Sequence, residues 1–222
     1  MLIISATTIA KTAIAEDYRD YARKGFIEQI EKDFAKAQLA HPIKMPPLSF
    51  LDVAGKPVEL KQYRKKLVIM PFWATWCMNC MLELKGMLEL MASLEDDDIT
   101  QIVILPISTD FKTPQEVEEI YVEQQLSKLP LMFDHNKKAT GALDIHSLPT
   151  TYIIDEKGYQ IAKFTKHMPW PAPATKAQLL KLLAPAQGNS PPNTGAPGDP
   201  ASSSHKSEKF MLWNTPNPPA KE

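Results

Sequence analysis

Phe72-Trp73-Ala74-Thr75-Trp76-Cys77-Met78-Asn79-Cys80 holds both cysteines of the 222-residue chain. It joins an apolar run, Lys66-Leu67-Val68-Ile69-Met70, to a helical pattern that begins at Met78. A strand that turns through Cys-x-x-Cys straight into a helix has a specific chemical use. The first thiol stands at the helix N-terminus, where unpaired N–H groups and the macrodipole favour negative charge. The thiolate is the reactive form of cysteine, so this placement lowers the thiol pKa and makes Cys77 a nucleophile. Cys80, one turn along the same helix, is close enough to close a disulfide behind it. The stretch points to thiol–disulfide exchange.

Composition narrows the alternatives. A formal net charge of −1 gives no electrostatic case for binding nucleic acid or an acidic membrane surface. No apolar run reaches the roughly 18 to 20 residues that a membrane span requires. Two cysteines exclude a disulfide-stapled scaffold, which needs several bridges. The length suits one domain with appendages.

Outward from the cysteines, the chain divides into four parts. Residues 1–15 begin apolar, and Ala13-Ile14-Ala15 resembles an export-signal cleavage site, although the basic leading region is missing and Lys11 interrupts. Residues 16–45 read as an amphipathic helix over 16–40 and a linker. Tyr18, Tyr21, Phe26, Ile30 and Phe34 recur near helical spacing, and His41-Pro42 and Pro46-Pro47 end the unit. The helix either packs on the domain or docks a partner. Residues 46–184 alternate strands and helices. A hairpin over 48–53 and 58–60 precedes a buried strand, Lys66–Phe72, in which Pro71 marks a bulge or a local irregularity. The helix from Met78 to Leu94, a second buried strand over 101–108 and a helix capped by Thr113 with Glu116 follow. A short strand near 130–134, a short helix over 137–144, a closing hairpin through Glu156-Lys157-Gly158 and a last helix over 175–183 complete the pattern. This predicts an α/β three-layer sandwich with a mixed central sheet and an extra N-terminal β-hairpin. Residues 185–222 are rich in Pro and Ser and read as a disordered tail with one apolar island, Phe210-Met211-Leu212-Trp213.

Phe72-Trp73-Ala74-Thr75-Trp76-Cys77-x-x-Cys80, followed some seventy residues on by Leu148-Pro149-Thr150-Thr151, resembles the thioredoxin fold. More narrowly it is similar to the TlpA/ResA/DsbE group of extracytoplasmic thiol–disulfide oxidoreductases, over roughly residues 46–184. The resemblance implies that Cys77 attacks a partner disulfide and Cys80 resolves the mixed disulfide. It implies a cis Pro149 facing the cysteines, with Leu148, Pro149 and Thr150 offering backbone to an extended substrate, and Trp76 shielding the site. Glu83, three residues after Cys80, shares its helix face. The group often carries a buried glutamate there, and a carboxyl with a burial-raised pKa is suited to move protons as Cys80 reacts. The bland alternative is an exposed helix glutamate. The resemblance further implies no cofactor beyond the redox-active disulfide, no resident metal, and a periplasmic, membrane-associated location. Its implied partners are exported thiol proteins such as apocytochrome c and a membrane thiol electron donor. Docking through helix 16–40 or the tail is a further expectation.

Some positions depart from the pattern. Pro71 stands where thioredoxin has an aspartate, Ser147 where the group often has glycine, and Met78-Asn79 lacks the group's usual proline between the cysteines. That dipeptide strongly influences reduction potential, and about 30 mV corresponds to about 1.4 kcal/mol. Whether the pair works as reductant or oxidant therefore stays open, with the reductant favoured. A peroxidase of the peroxiredoxin type would need Pro-x-x-x-Thr-x-x-Cys. Pro71 and Thr75 match it, but Cys77 falls one residue early. A structural zinc site lacks half its ligands, since His41, His135, His146, His167 and His205 are scattered. Cu(I) handling by the two thiolates and a redox-switched adaptor are the remaining rivals.

Overall fold

The computed structural model describes residues 6–183, with side chains from residue 22 onward. Its centre is β4 (Leu67–Trp73), an apolar strand buried at every residue. β5 (Ile102–Ile104) and β6 (Ile107–Ser108) run parallel to it on one side, and β8 (Thr150–Ile154) runs antiparallel on the other. Beyond β6 lie β7 (Met132–Phe133) and then the hairpin of β2 (Ser49–Leu51) and β3 (Pro57–Glu59). Beyond β8 lie β9 (Tyr159–Phe164) and β1 (Gln38–Lys44), both antiparallel. The sheet is mixed, as the strand–helix alternation predicts.

Side chains alternate across β4, and the two faces build two cores. Leu67, Ile69 and Trp73 face α1 (Ala6–Ala37), α2 (Met78–Asp96), α3 (Pro114–Glu123) and α5 (Pro173–Leu183), which contribute Phe34, Leu84, Tyr121 and Leu179. Val68, Met70 and Phe72 face Phe50, Leu60 and Tyr152, with Ala139 of the short α4 (Lys138–Ala142). Each fully buried side chain of this kind stabilises the fold by about 1.5–3 kcal/mol. Three layers result. At α3 the sequence signal is realised in full: Thr113 Oγ1 accepts the Glu116 N–H at 3.3 Å and Glu116 Oε2 accepts the Thr113 N–H at 2.9 Å.

Pro71 makes no bulge. It pairs in register with Thr151 of β8, and the Val68–Phe72 ladder is continuous on that side. Its effect falls on the parallel side. The Leu67 N–H donates to the Gln101 carbonyl and the Leu105 N–H to the Ile69 carbonyl, both at 2.8 Å. Continuing that alternation, residue 71 would donate to the Leu105 carbonyl, and proline has no N–H. Pro106 lacks one too, so the expected strand over 101–108 splits at Leu105-Pro106 into β5 and β6.

The N-terminal region differs from expectation in two ways. The helix ends at Ala37 rather than 40, and residues 38–44, expected as helix end and linker, form the edge strand β1 against β9. Pro42 is tolerated because β1 is an edge strand whose register shifts between Gln38 and Ile43. Of the expected apolar stripe, Ile30 and Phe34 bury while Phe26 is exposed, as is every residue from 22 to 29; Tyr18 and Tyr21 lie outside the described side chains. Phe34 meets Phe164 of β9 edge-to-face at 5.0 Å. Among the described side chains, the helix is docked by its last two turns. Residues 6–15 of the expected export signal form the start of α1, and 1–5 lie outside the described residues, as does the whole 185–222 tail. No helix among the described residues is long and apolar enough to cross a membrane.

Candidate active site

β4 ends at Trp73, and after Ala74-Thr75-Trp76 the chain enters α2 with Cys77 as its N-cap. Cys77 has extended backbone, and its Sγ accepts the Cys80 N–H at 3.2 Å. The sulfur thus occupies the place of a capping oxygen, beside the free N–H groups that favour a thiolate. Cys77 and Cys80 form a disulfide. Cys77 is 8% exposed and Cys80 is 1% exposed, so an incoming sulfur meets Cys77 first. On either side of Cys77, Trp76 and Met78 stand 61% and 75% exposed. Trp76 is not a packed core aromatic.

The sheet register brings the Leu148–Pro149 segment to the same end of β4. Thr150 pairs with Phe72, so Pro149 falls beside Trp73 at the strand end that leads to Cys77. The Leu148–Pro149 peptide is cis. Thr150 is buried, and its hydroxyl donates to the Ser147 carbonyl at 2.8 Å, closing the turn into β8.

Glu83 is 1% exposed, so the alternative of a solvated helix glutamate is excluded. Its Oε1 accepts the Met168 backbone N–H at 2.8 Å, and its Oε2 accepts the Thr151 hydroxyl at a long 3.5 Å. Burial pushes its carboxyl up from 4.5 to about 7, against the opposing pull of Met168, Trp170 and Thr151. The Trp170 indole Nε1 is buried and makes no well-formed hydrogen bond among the described residues, so its pull on Glu83 is that of a nearby N–H dipole rather than of a formed bond. His167 Nδ1 stands 4.0 Å from Oε1, with its side chain about half exposed. The loop that covers Glu83 approaches α2 closely, since a Cβ on Gly86 would lie 2.8 Å from Pro171 Cδ. This carboxyl, raised by burial, lies one helical turn after Cys80 on the same helix face.

A second carboxylate carries no signal in the sequence. Asp110, in the loop after β6, accepts the Thr75 N–H and the Thr75 hydroxyl on one oxygen, both at 2.6 Å. Its other oxygen accepts the Phe111 and Lys112 N–H groups at 2.8 and 3.1 Å. Partial burial pushes its carboxyl up, but these bonds together outweigh that push and hold it below the usual carboxylate range. Nothing local marks this aspartate, because its partner lies 35 residues away across the sheet. His146, in contrast, pairs with Asp144 in solvent at 2.9 Å. Among the described residues no group of three or more His, Cys, Asp or Glu side chains is arranged to hold a metal.

Residues 40–161, more than half of the chain, match the AhpC/TSA family. The chain belongs to that family. It is 31% identical over 143 residues to the thiol–disulfide oxidoreductase ResA of Bacillus thuringiensis, covering 63% of this chain and 76% of that one. It is 32% identical over 114 residues to the thioredoxin-like protein YneN of Bacillus subtilis, covering 51% and 64%. The fold is shared with the thioredoxin domain of a thiol–disulfide oxidoreductase from Bacteroides vulgatus, with a TM-score of 0.54 and 20% identity over 65% of this chain and 99% of that one. A thiol:disulfide interchange protein from Bacteroides sp. gives a TM-score of 0.53 and 21% identity over 68% and 94%. Within the AhpC/TSA family this chain is a thiol–disulfide oxidoreductase of the ResA type. Its two cysteines, Cys77 and Cys80, are joined as a disulfide at the start of α2.

Proposed function

We propose that this chain is a protein-disulfide reductase working outside the cytoplasm on exported thiol proteins, apocytochrome c among them. The observation that carries the reading is the pairing of Cys77, the more accessible cysteine and the N-cap of α2, with a fully buried Cys80 that shares its helix face with a buried carboxyl raised toward neutrality. The Cys77 thiolate attacks one sulfur of a partner disulfide, forming the mixed disulfide and releasing the partner's other sulfur as a thiolate. Glu83, as a carboxylate, receives the Cys80 proton, and the Cys80 sulfur then attacks Cys77 Sγ. The partner's second sulfur leaves as a thiolate that takes the proton from Glu83, its first takes one from water, and Cys77–Cys80 is oxidised, so two electrons pass to the partner. A membrane thiol donor restores the dithiol. Leu148, Pro149 and Thr150 supply the backbone edge along which an extended partner aligns, and Trp76 borders the reactive sulfur.

The direction of transfer is tested by equilibrating the pair with dithiothreitol and glutathione and reading the oxidised fraction. A reductase gives a potential at or below the glutathione couple. A potential well above it, in the range of strong disulfide donors, reverses the direction.

A further inference from the structure

Phe111 is 85% exposed, more than Trp76 or Met78, yet it does not hang free. Its N–H is fixed to Asp110 Oδ1, and the Lys137 ammonium sits 4.6 Å from its ring centroid. Lys137 Nζ also donates to the Asp110 carbonyl at 3.1 Å. Lys137 reaches this place from a segment in which Asn136 and Lys137 both adopt left-handed backbone, φ 56° and 55°. For lysine this conformation is uncommon and costs energy that the surrounding contacts must offset. The Asp110 hydrogen bond and the ammonium of Lys137, the residue that caps α4, together hold an apolar ring in water.

The position of that ring gives the reason. β4 lies between β8 and β6, and at the end where Cys77 emerges each neighbour contributes one wall. From the β8 side comes Leu148-Pro149, and from the β6 side comes Asp110-Phe111. Asp110 bonds to Thr75 directly, so Trp76 and Phe111 each stand one residue from the same hydrogen-bonded pair. We infer that Phe111 is a specificity-determining residue that, with Trp76, contacts an aromatic or large aliphatic side chain next to the partner's reactive cysteine. This rests on the thiol–disulfide exchange proposed above and adds a side-chain reader opposite the backbone-reading wall. Asp110 is a positioning residue for it, tying the reader to the segment that carries the nucleophile.

The test uses the dithiothreitol-reduced full chain and two short peptides. One has phenylalanine on both sides of its cysteine and the other has alanine there, and each is a mixed disulfide with thionitrobenzoate. Cys77 attacks the peptide sulfur, coloured thionitrobenzoate leaves, and Cys80 then releases the peptide thiol. The wild type reacts faster with the aromatic peptide by about 2- to 12-fold, the range that an aromatic pair contributes. Phe111→Ala brings that ratio close to one, Phe111→Tyr retains it, and Val122→Ala, an exposed change on α3, retains it as well. No preference in the wild type overturns the inference. So does a Phe111→Ala variant that keeps the preference, or one that slows both peptides by the same factor. Failure of the wild type to reduce even the symmetric thionitrobenzoate disulfide removes the exchange reading itself, and this inference with it.

Discussion

Replacing Glu83 by glutamine isolates the buried carboxyl, and its effect can be worked out from pH-dependent stability. The folded protein holds this group near pKa 7 and the unfolded chain near 4.5. Between those values the folded state binds the extra proton, so stability is fully present below pH 4.5 and is lost as pH rises through 7. A tenfold difference in proton affinity between the two states is worth about 1.36 kcal/mol. The full loss is therefore about 3.4 kcal/mol, of which about 2.5 kcal/mol falls between pH 5 and pH 8. Glutamine has nearly the same shape and does not titrate. Its carbonyl oxygen can still accept the Met168 N–H, while its amide must take a place previously held by an oxygen that accepts from Thr151. Its absolute stability therefore differs by an unrelated constant, but its pH slope does not contain the Glu83 contribution. Urea unfolding of both oxidised proteins at pH 5 and pH 8 should show the wild type losing about 2.5 kcal/mol more than Glu83→Gln. Equal losses would mean that the carboxyl titrates at an ordinary value and is not poised for proton transfer at Cys80.

Gly86→Ala places a methyl against the Pro171 ring, at a distance real contacts do not reach, so the 168–171 loop must shift. Overpacking of this kind costs about 1–3 kcal/mol, measured by chemical unfolding, and should also weaken protection of the Met168 amide in hydrogen exchange. Phe34→Ala removes a fully buried ring that meets Phe164 edge-to-face at 5.0 Å. It should cost about 3–5 kcal/mol and free the last turns of α1 from the sheet, seen as faster amide exchange over 30–37. Hydrogen peroxide, with Cys77 one residue out of the peroxidase register, should be consumed far more slowly than a disulfide substrate, which a direct comparison of rates decides.

The sheet's centre and its site are legible in the sequence because their signals are local. The run Leu67–Trp73, the Cys-x-x-Cys entering a helix, the Thr113–Glu116 capping box and the turn at Gly158 each follow from neighbours a few residues apart. What escapes a local reading depends on distant partners. Gln38–Lys44 carries no strand alternation and becomes β1 only because β9 offers it a free edge. Pro71 reads locally as a bulge or a local irregularity, whereas its consequence appears some 35 residues later as the gap between β5 and β6. Spacing and resemblance single out Glu83. Its pKa is nevertheless set by burial under Met168 and Trp170, from a loop about 85 residues away in the chain. Asp110 and Phe111 lie in a polar loop with no motif, and only the sheet order places them beside Thr75.

The division of labour between the cysteines is tested most directly by trapping. Cys80→Ser leaves Cys77, the more exposed of the two cysteines, without its resolving partner, so incubation with a disulfide-bearing protein should accumulate a covalent complex that dithiothreitol dissolves. Cys77→Ser should form none and should have no exchange activity. Accumulation of the complex with Cys77→Ser instead would contradict the assignment drawn from the 8% and 1% exposures of the two residues.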